Sequence, residues 1–461
     1  MCLDVVHMLR KRKDNVEMKK HYMSVLGTGN YQACNYAITE ENHDVKAVKE
    51  FYETKYIQAA VFRMICHDYS DGDKITIFMT HEAKERHWDK LKEELEQLIA
   101  SRNQNISLND VMVREGMDDD QQWENFNIIY SQIEDEEQII VDVTHGFRTI
   151  PMQLFTILNY AKALKDIDVA GIYYGAFERK MKINNVEYSP IVDYVGYMTI
   201  MELANAANVF SATGNAKLLH KVTKKVKDEG FKANTPQKHD LSSLDKISLK
   251  IEQLTESIQC ARGKDDVCGK SIQQDYLAYN SVDMPKSSSQ GNEAKAIYPI
   301  IQYVDHCVDK YFHNISQKSD DVSVGMCTVK WCKDYGLIQA GFTALEETII
   351  SWVFSRVILK KCVEVFTGET EQRRQREALS RMLTELKGEK SLETESELKQ
   401  IFSQDKLDKL ARISWKIKQC RNDMNHFGFS TDNRSTRKLC SQLEEYYEEF
   451  QKLKSECDQN D

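Results

Sequence analysis

Between residues 21 and about 195, short β-branched runs alternate with longer amphipathic stretches. Residues 22–26 (YMSVL), 74–79 (KITIFM), 111–114, 139–143 (IIVDV) and 169–174 (VAGIYY) have the length and composition of strands, the last four separated by helical periodicity at 82–103, 121–133 and 150–165. A further helix is expected over residues 50–68. This alternation predicts a Rossmann-like α/β domain over residues 21–196. After Asp193 the strand signals fade, and amphipathic helix continues to the end, broken by polar loops at 230–240 and 285–293 (PKSSSQGNE). The expected organisation is an N-terminal extension (1–20), the α/β domain (21–196), a helical connector (197–295) and an all-α C-terminal domain (296–461).

Two junctions in the α/β part carry chemistry. The segment IIVDVTHGFRTIP, residues 139–151, runs from a buried strand through a polar elbow into a helix that buries Leu154, Ile157, Leu158 and Ala161. Thr144, His145, Gly146 and Arg148 therefore stand at the carboxyl edge of the sheet, where an anion meets a helix N-terminus. An ordinary turn capped by Thr144 is the plainer alternative. The first strand ends in a second elbow, Gly27, Thr28, Gly29, Asn30 and Tyr31, whose glycines let backbone approach a phosphate or base. Arg148 suits a phosphate, Asn30 and Tyr31 a base edge or ring face. Tyr174 and Gly175 end the last strand at the same edge, and Thr54 and Gln58, one helical turn apart, are further candidates for the mouth. Gly27, Gly29 and Ala33 also fit a loose dinucleotide fingerprint, but residues 34–48 lack the apolar stripe of the helix it requires.

Composition narrows the class. A chain of 461 residues with 41% hydrophobic positions has room for two or three cores, and no segment approaches a membrane span. The apolar Val5, Val6, Met8 and Leu9 precede RKRK at 10–13, the reverse of a signal peptide, so a cytoplasmic location is expected. Twelve cysteines are scattered without paired zinc spacing, Cys327 and Cys332 being nearest, which predicts reduced thiols and no metal site. A net charge of −10 excludes coating of nucleic acid by bulk electrostatics, so any RNA contact must be local.

The second chemical signal is RNDMNH at 421–426, close to the end of an apolar-periodic helix and before Gly428. Arg421 and His426 diverge by about 140° on an ideal helix, so they share a cleft only if the helix ends between them or two chains meet there. Arg421 can stabilise a phosphorane, His426 can move a proton, and Asn422 can position the phosphate. The plainer reading makes Arg421 a surface arginine paired with Asp423 or a nearby Glu, and His426 a helix C-cap imidazole near the terminal carbonyls; Glu346 and Glu347, on an apolar helix over 337–359, could face the same cleft but are left out of the site, since a charge on one side of a helix is usually solvated.

With these blocks in order, VLGTGNY (25–31), TKYIQAA (54–60), FMTHEA (78–83), DVTHGFR (142–148), YYGAFE (173–178) and RNDMNH, the chain resembles the ribonucleases of type III CRISPR systems that join a CARF sensor to a HEPN nuclease. The resemblance implies a cyclic oligoadenylate activator bound across a two-fold axis, no cofactor, single-stranded RNA as substrate, and a homodimer or higher even oligomer. It identifies Gly27, Thr28, Gly29, Asn30, Tyr31, Thr144, His145, Gly146, Arg148, Tyr174 and Gly175 with the ligand, and Arg421, Asn422 and His426 with cleavage. It also leaves open slow cleavage of the bound ring by Thr144 and His145. Two other readings stand beside it: a non-catalytic ligand-sensing regulator or adaptor, and a nicotinamide-dependent enzyme using the Gly27 loop.

Overall fold

The computed structural model describes residues 18–42, 45–146, 149–232, 238–265, 267–283, 292–359, 369–385, 398, 399, 401–429 and 433–459. It divides into two compact units, Met1–Thr199 and Ile200–Asp461. The first is α/β and the second, among the described residues, all helical.

In the first unit the strands are β1 (Lys20–Leu26), β2 (Cys34–Asn42), β3 (Val45–Thr54), β4 (Lys74–Met79), β5 (Ser107–Met112), β6 (Gln138–Asp142), β7 (Asp168–Gly175), β8 (Met181–Ile183) and β9 (Val186–Asp193). They form one sheet in the order β3-β2-β9-β7-β6-β1-β4-β5, with β8 on β9. From β7 to β5 every pairing is parallel. The helices are α1 (Ile57–Met64), α2 (Asp89–Ser101), α3 (Asp119–Ser131) and α4 (Thr149–Lys165). Period-2 alternation splits β1 between the two faces: Tyr22 and Leu26 pack with Ile57, Phe62 and Leu91, while Met23 and Val25 pack with Leu154, Ile157 and Val141.

This topology fixes where a ligand can sit. From β1 the chain crosses to the far edge for the β2–β3 hairpin, comes back to lay β4 and β5 on one side of β1, and then lays β6 and β7 on the other. Among the parallel strands the order therefore reverses between β1 and β6, where an open α/β sheet receives ligands at its carboxyl ends.

Two sequence expectations need correction here. Residues 50–54 continue β3, and helix begins only at Ile57, so the helix expected over 50–68 is shorter and later. Residues 34–54 form an edge hairpin whose outer face meets solvent, as exposed Phe51 shows, and such a face carries no helical stripe. Strand β9 was not anticipated because Pro190 argues against a strand. Its carbonyl nevertheless accepts from Ala176 N at 2.9 Å, and Ala37 of β2 is its register partner.

Helix α5 (Val195–Thr213) leads into the second unit, which continues with α6 (Lys217–Lys232), α7 (Lys238–Gln259), α8 (Ile272–Asn280), α9 (Asn292–Phe312) and α10 (Asp321–Asp334). These six share a core in which Phe210, Leu254, Ile272, Val308 and Trp331 meet, drawing on residues from both sides of position 295. Helices α11 (Ile338–Leu359), α12 (Glu369–Glu385), α13 (Gln404–Asn425) and α14 (Thr436–Asp458) build a second core around Phe342, Val353, Leu383, Ile417 and Phe450.

Candidate ligand cavity and candidate nuclease centre

At the carboxyl ends of β1 and β6 lies a cavity of about 260 Å³. Gly27, Thr28, Gly29 and Tyr31 line it from the first elbow, and Thr144, His145 and Gly146 from the second. Thr80 and Val113, at the ends of β4 and β5, complete the wall. Only glycine fits at 146: φ is +106° and a Cβ would stand 2.8 Å from Val25 Cγ1. At Gly29 a Cβ would meet nothing within 4 Å, so the chain itself does not require the space left there.

A buried carboxylate organises the second elbow. Asp142, fully buried, accepts from Ser24 Oγ at 2.6 Å and from Thr144 N at 3.0 Å, and the Thr144 hydroxyl also donates to it. Burial pushes the Asp142 carboxyl up, against the pull of these donors. Thr144 Oγ1 in turn accepts from Gly175 N at 2.8 Å, tying the end of β7 to the elbow. In the first elbow, Gly27 N donates to the Tyr31 hydroxyl at 2.9 Å.

The Tyr31 ring contacts two imidazoles, with centroids 4.6 Å from His145 and 4.5 Å from His87. Burial holds both histidines below their ordinary pKa of 6.5, and the Nε2 atom of each is buried without a hydrogen-bond partner. His87 and Arg86, whose Nη1 donates to Thr28 O at 3.0 Å, lie on a π-helical turn, Lys84–Trp88. Neither was singled out in the sequence, because their place beside the elbows depends on β4 neighbouring β1. The π turn agrees with the frequent use of such turns at functional sites.

Other expected residues are placed differently. Asn30 is exposed and outside the cavity wall. Tyr174 donates to Glu178 Oε2 at 3.1 Å, and its ring faces Tyr194. Gly175 serves close packing, since a Cβ there would lie 2.6 Å from Ile57 Cδ1. Thr54 accepts from Tyr56 N at 3.0 Å, and buried Gln58 donates to Val25 O at 2.8 Å, so both hold the walls. Arg148 lies outside the described residues.

In the second unit α13 stops at Asn425, and His426 caps it. His426 N still makes the helical bond to Asn422 O at 2.9 Å, so the imidazole leaves from the last position on the helical path. Arg421 Nη1 pairs with Glu346 of α11, a carboxylate only 9% exposed, and Arg421 Nε is buried without a partner. Asp423 accepts instead from Arg434 N at 2.7 Å. Glu346, named from the sequence as able to face this cleft but left out of the site, is therefore the partner of Arg421. An apolar helix gives no cue to which of its carboxylates another helix will cover. Asn422 and His426 are exposed. Gly428 N donates to Asp423 O at 2.9 Å and Phe427 N to Met424 O at 3.1 Å, the paired bonds that close a helix C-terminus.

Residues 21–178 match the family profile described as "CRISPR system endoribonuclease Csx1, CARF domain". The first unit is a CARF domain. The match is confined to this unit and leaves the helical unit without a family. The chain is also 23% identical over 241 residues to CRISPR-associated protein MJ1674 of Methanocaldococcus jannaschii. That match spans 52% of this chain and 33% of the relative, so the chain covers about a third of that protein's length. Both elbows and the histidine-flanked cavity fall within the CARF match; RNDMNH falls outside it. Among the described residues no helix is long and apolar enough to cross a membrane, and no group of three His, Cys, Asp or Glu could hold a metal. Cys327 and Cys332 are free thiols.

Proposed function

We propose that the chain is a cyclic oligoadenylate-activated endoribonuclease of type III CRISPR defence, sensing its activator in the CARF domain and cutting single-stranded RNA at a HEPN centre. The observation that carries the reading is RNDMNH at the end of α13, with His426 exposed and Arg421 paired with Glu346, in a chain whose residues 21–178 match a CARF domain.

The cavity fits such an activator in chemistry and in size. Two buried imidazole nitrogens without partners await a donor or acceptor, and the space at Gly29 is open. Its volume of about 260 Å³ lies below the ~300–1,000 Å³ that encloses a small ligand, so one chain would hold part of a ring and a second copy the rest. Two-fold rotation of a homodimer supplies that second half.

RNA carries its own nucleophile, so the chain must move protons and neutralise charge. In the proposed step the 2′-hydroxyl loses its proton, its oxygen bonds to phosphorus, and the P–O5′ bond breaks. His426 makes one of the two proton transfers, taking the 2′-hydroxyl proton or giving one to the leaving O5′, and water makes the other, while Arg421 meets the phosphorane charge, Asn422 positions the phosphate, and Glu346 positions Arg421. The products are a 2′,3′-cyclic phosphate and a 5′-hydroxyl. The test is cleavage of a labelled single-stranded RNA with and without cyclic tetra- and hexa-adenylate, followed by end-group analysis. A 3′-hydroxyl and 5′-phosphate product would refute this chemistry, and cleavage retained in His426→Ala would refute the centre.

A further inference from the structure

The turn that follows α13 displays two aromatic rings to solvent. Phe427 and Phe429 are each 90% exposed, on either side of Gly428 and directly after His426. Phe427 also has φ +56°, a left-handed conformation bulky side chains rarely take, although it occupies the position where helices ordinarily place glycine. Packing within the chain does not compensate for this choice. A residue held in such a conformation with its ring in water points to a use outside the chain's own core.

The surroundings say what kind of occupant fits. The turn is closed by Phe429 N donating to His426 O at 3.0 Å, so the backbone that carries both rings is held directly beside His426. Asn433 Nδ2 donates to Gly428 O at 3.5 Å, and Arg434 N to Asp423, which brings the start of α14 beside the end of α13. On the first turns of α14, Arg437 and Lys438 are exposed and make no ion pair among the described residues. Ring faces beside unneutralised cations are the combination that holds single-stranded nucleic acid: bases stack and phosphates are neutralised. In a chain of net charge −10 such a contact has to be local, as this one is.

We infer that Phe427 and Phe429 form a stacking platform for unpaired bases flanking the scissile phosphate, with Arg437 and Lys438 binding the neighbouring phosphates. The inference rests on the nuclease reading and adds how the substrate is held. It explains why a phenylalanine is kept where glycine would be easier: the ring selects RNA whose bases are free to stack, and a duplex offers none.

The test uses the full chain carrying His426→Ala, with and without Phe427→Gly, and fluorescence anisotropy with a short single-stranded oligoribonucleotide and its abasic counterpart. Glycine accepts the left-handed conformation, so the melting temperature should not fall. Phe427→Gly should weaken binding of the intact oligomer roughly tenfold and leave the abasic oligomer unchanged. In the His426-containing background the same change should raise KM and spare kcat. Equal affinity of both proteins for the intact oligomer would overturn the platform, while cleavage by wild type would keep the nuclease reading. A shift to monomer in Phe427→Gly, with RNA affinity following assembly, would also overturn it and make the rings a contact between copies. Wild type that neither binds nor cleaves RNA would remove the nuclease reading itself.

Discussion

His426 and Arg421 have distinct settings in the structure, and the proposed chemistry gives them separate tasks. His426 is exposed beyond the last residue of α13, so His426→Ala should leave the melting temperature unchanged and lower kcat by at least about a hundredfold. Arg421→Ala should do the same to cleavage. Glu346→Gln keeps an acceptor but removes the charge that orients Arg421; kcat should fall about tenfold with KM little changed. Unchanged kcat would make the pair merely structural, and increased kcat would make it a lock. In the CARF domain, His145 and His87 are held below 6.5 by burial and are neutral at pH 7. A bound phosphate would raise both, so between the free and bound values binding takes up protons. Ligand affinity should therefore rise as pH falls from 7 toward 6, measured by calorimetry in buffers of different ionisation enthalpy; an affinity flat across that range would place the phosphates elsewhere. Glycines, Thr144 and His145 were visible in the sequence because elbows at strand ends are local. Asp142, His87 and Glu346 were not, since their roles come from which strand or helix lies alongside.

Among the elements, the β1 and β6 elbows divide sharply by what the backbone requires. Gly146→Ala should destabilise the CARF domain by about 2 kcal/mol or more in chemical denaturation, because both φ +106° and Val25 oppose a Cβ. Gly29→Ala should alter stability by less than about 0.5 kcal/mol yet weaken cyclic oligoadenylate binding, since its Cβ would enter open space at the cavity. Equal ligand affinity in Gly29→Ala would mean that the ligand does not reach the first elbow. β1, β4 and β6 were legible, being buried on both faces and hence continuously apolar, whereas the largely exposed edge strand β5 (Ser107–Met112) was read only at 111–114. The β2–β3 hairpin and β9 were not: the first has a solvent face, and the second carries Pro190 within its run.

For the whole molecule, the α/β then all-α order was readable from the loss of strand signal after Asp193, and the two compact units divide at Thr199. The cavity belongs to one unit and RNDMNH to the other, so under the proposed function activation requires that ligand shift the population of arrangements. A few kcal/mol of differential affinity is enough to change activity by orders of magnitude. If the working unit is a homodimer with a composite centre, mixing wild type with His426→Ala should lower activity beyond simple dilution, and heterodimers with full activity would require each chain to work alone. The central claim is tested most directly by the rate of single-stranded RNA cleavage across a titration of cyclic tetra- or hexa-adenylate, with His426→Ala as control. The account predicts a low basal rate, a saturable rise with one of the rings, and no rise in His426→Ala; a rate independent of either ring, or equal in the two proteins, would contradict it.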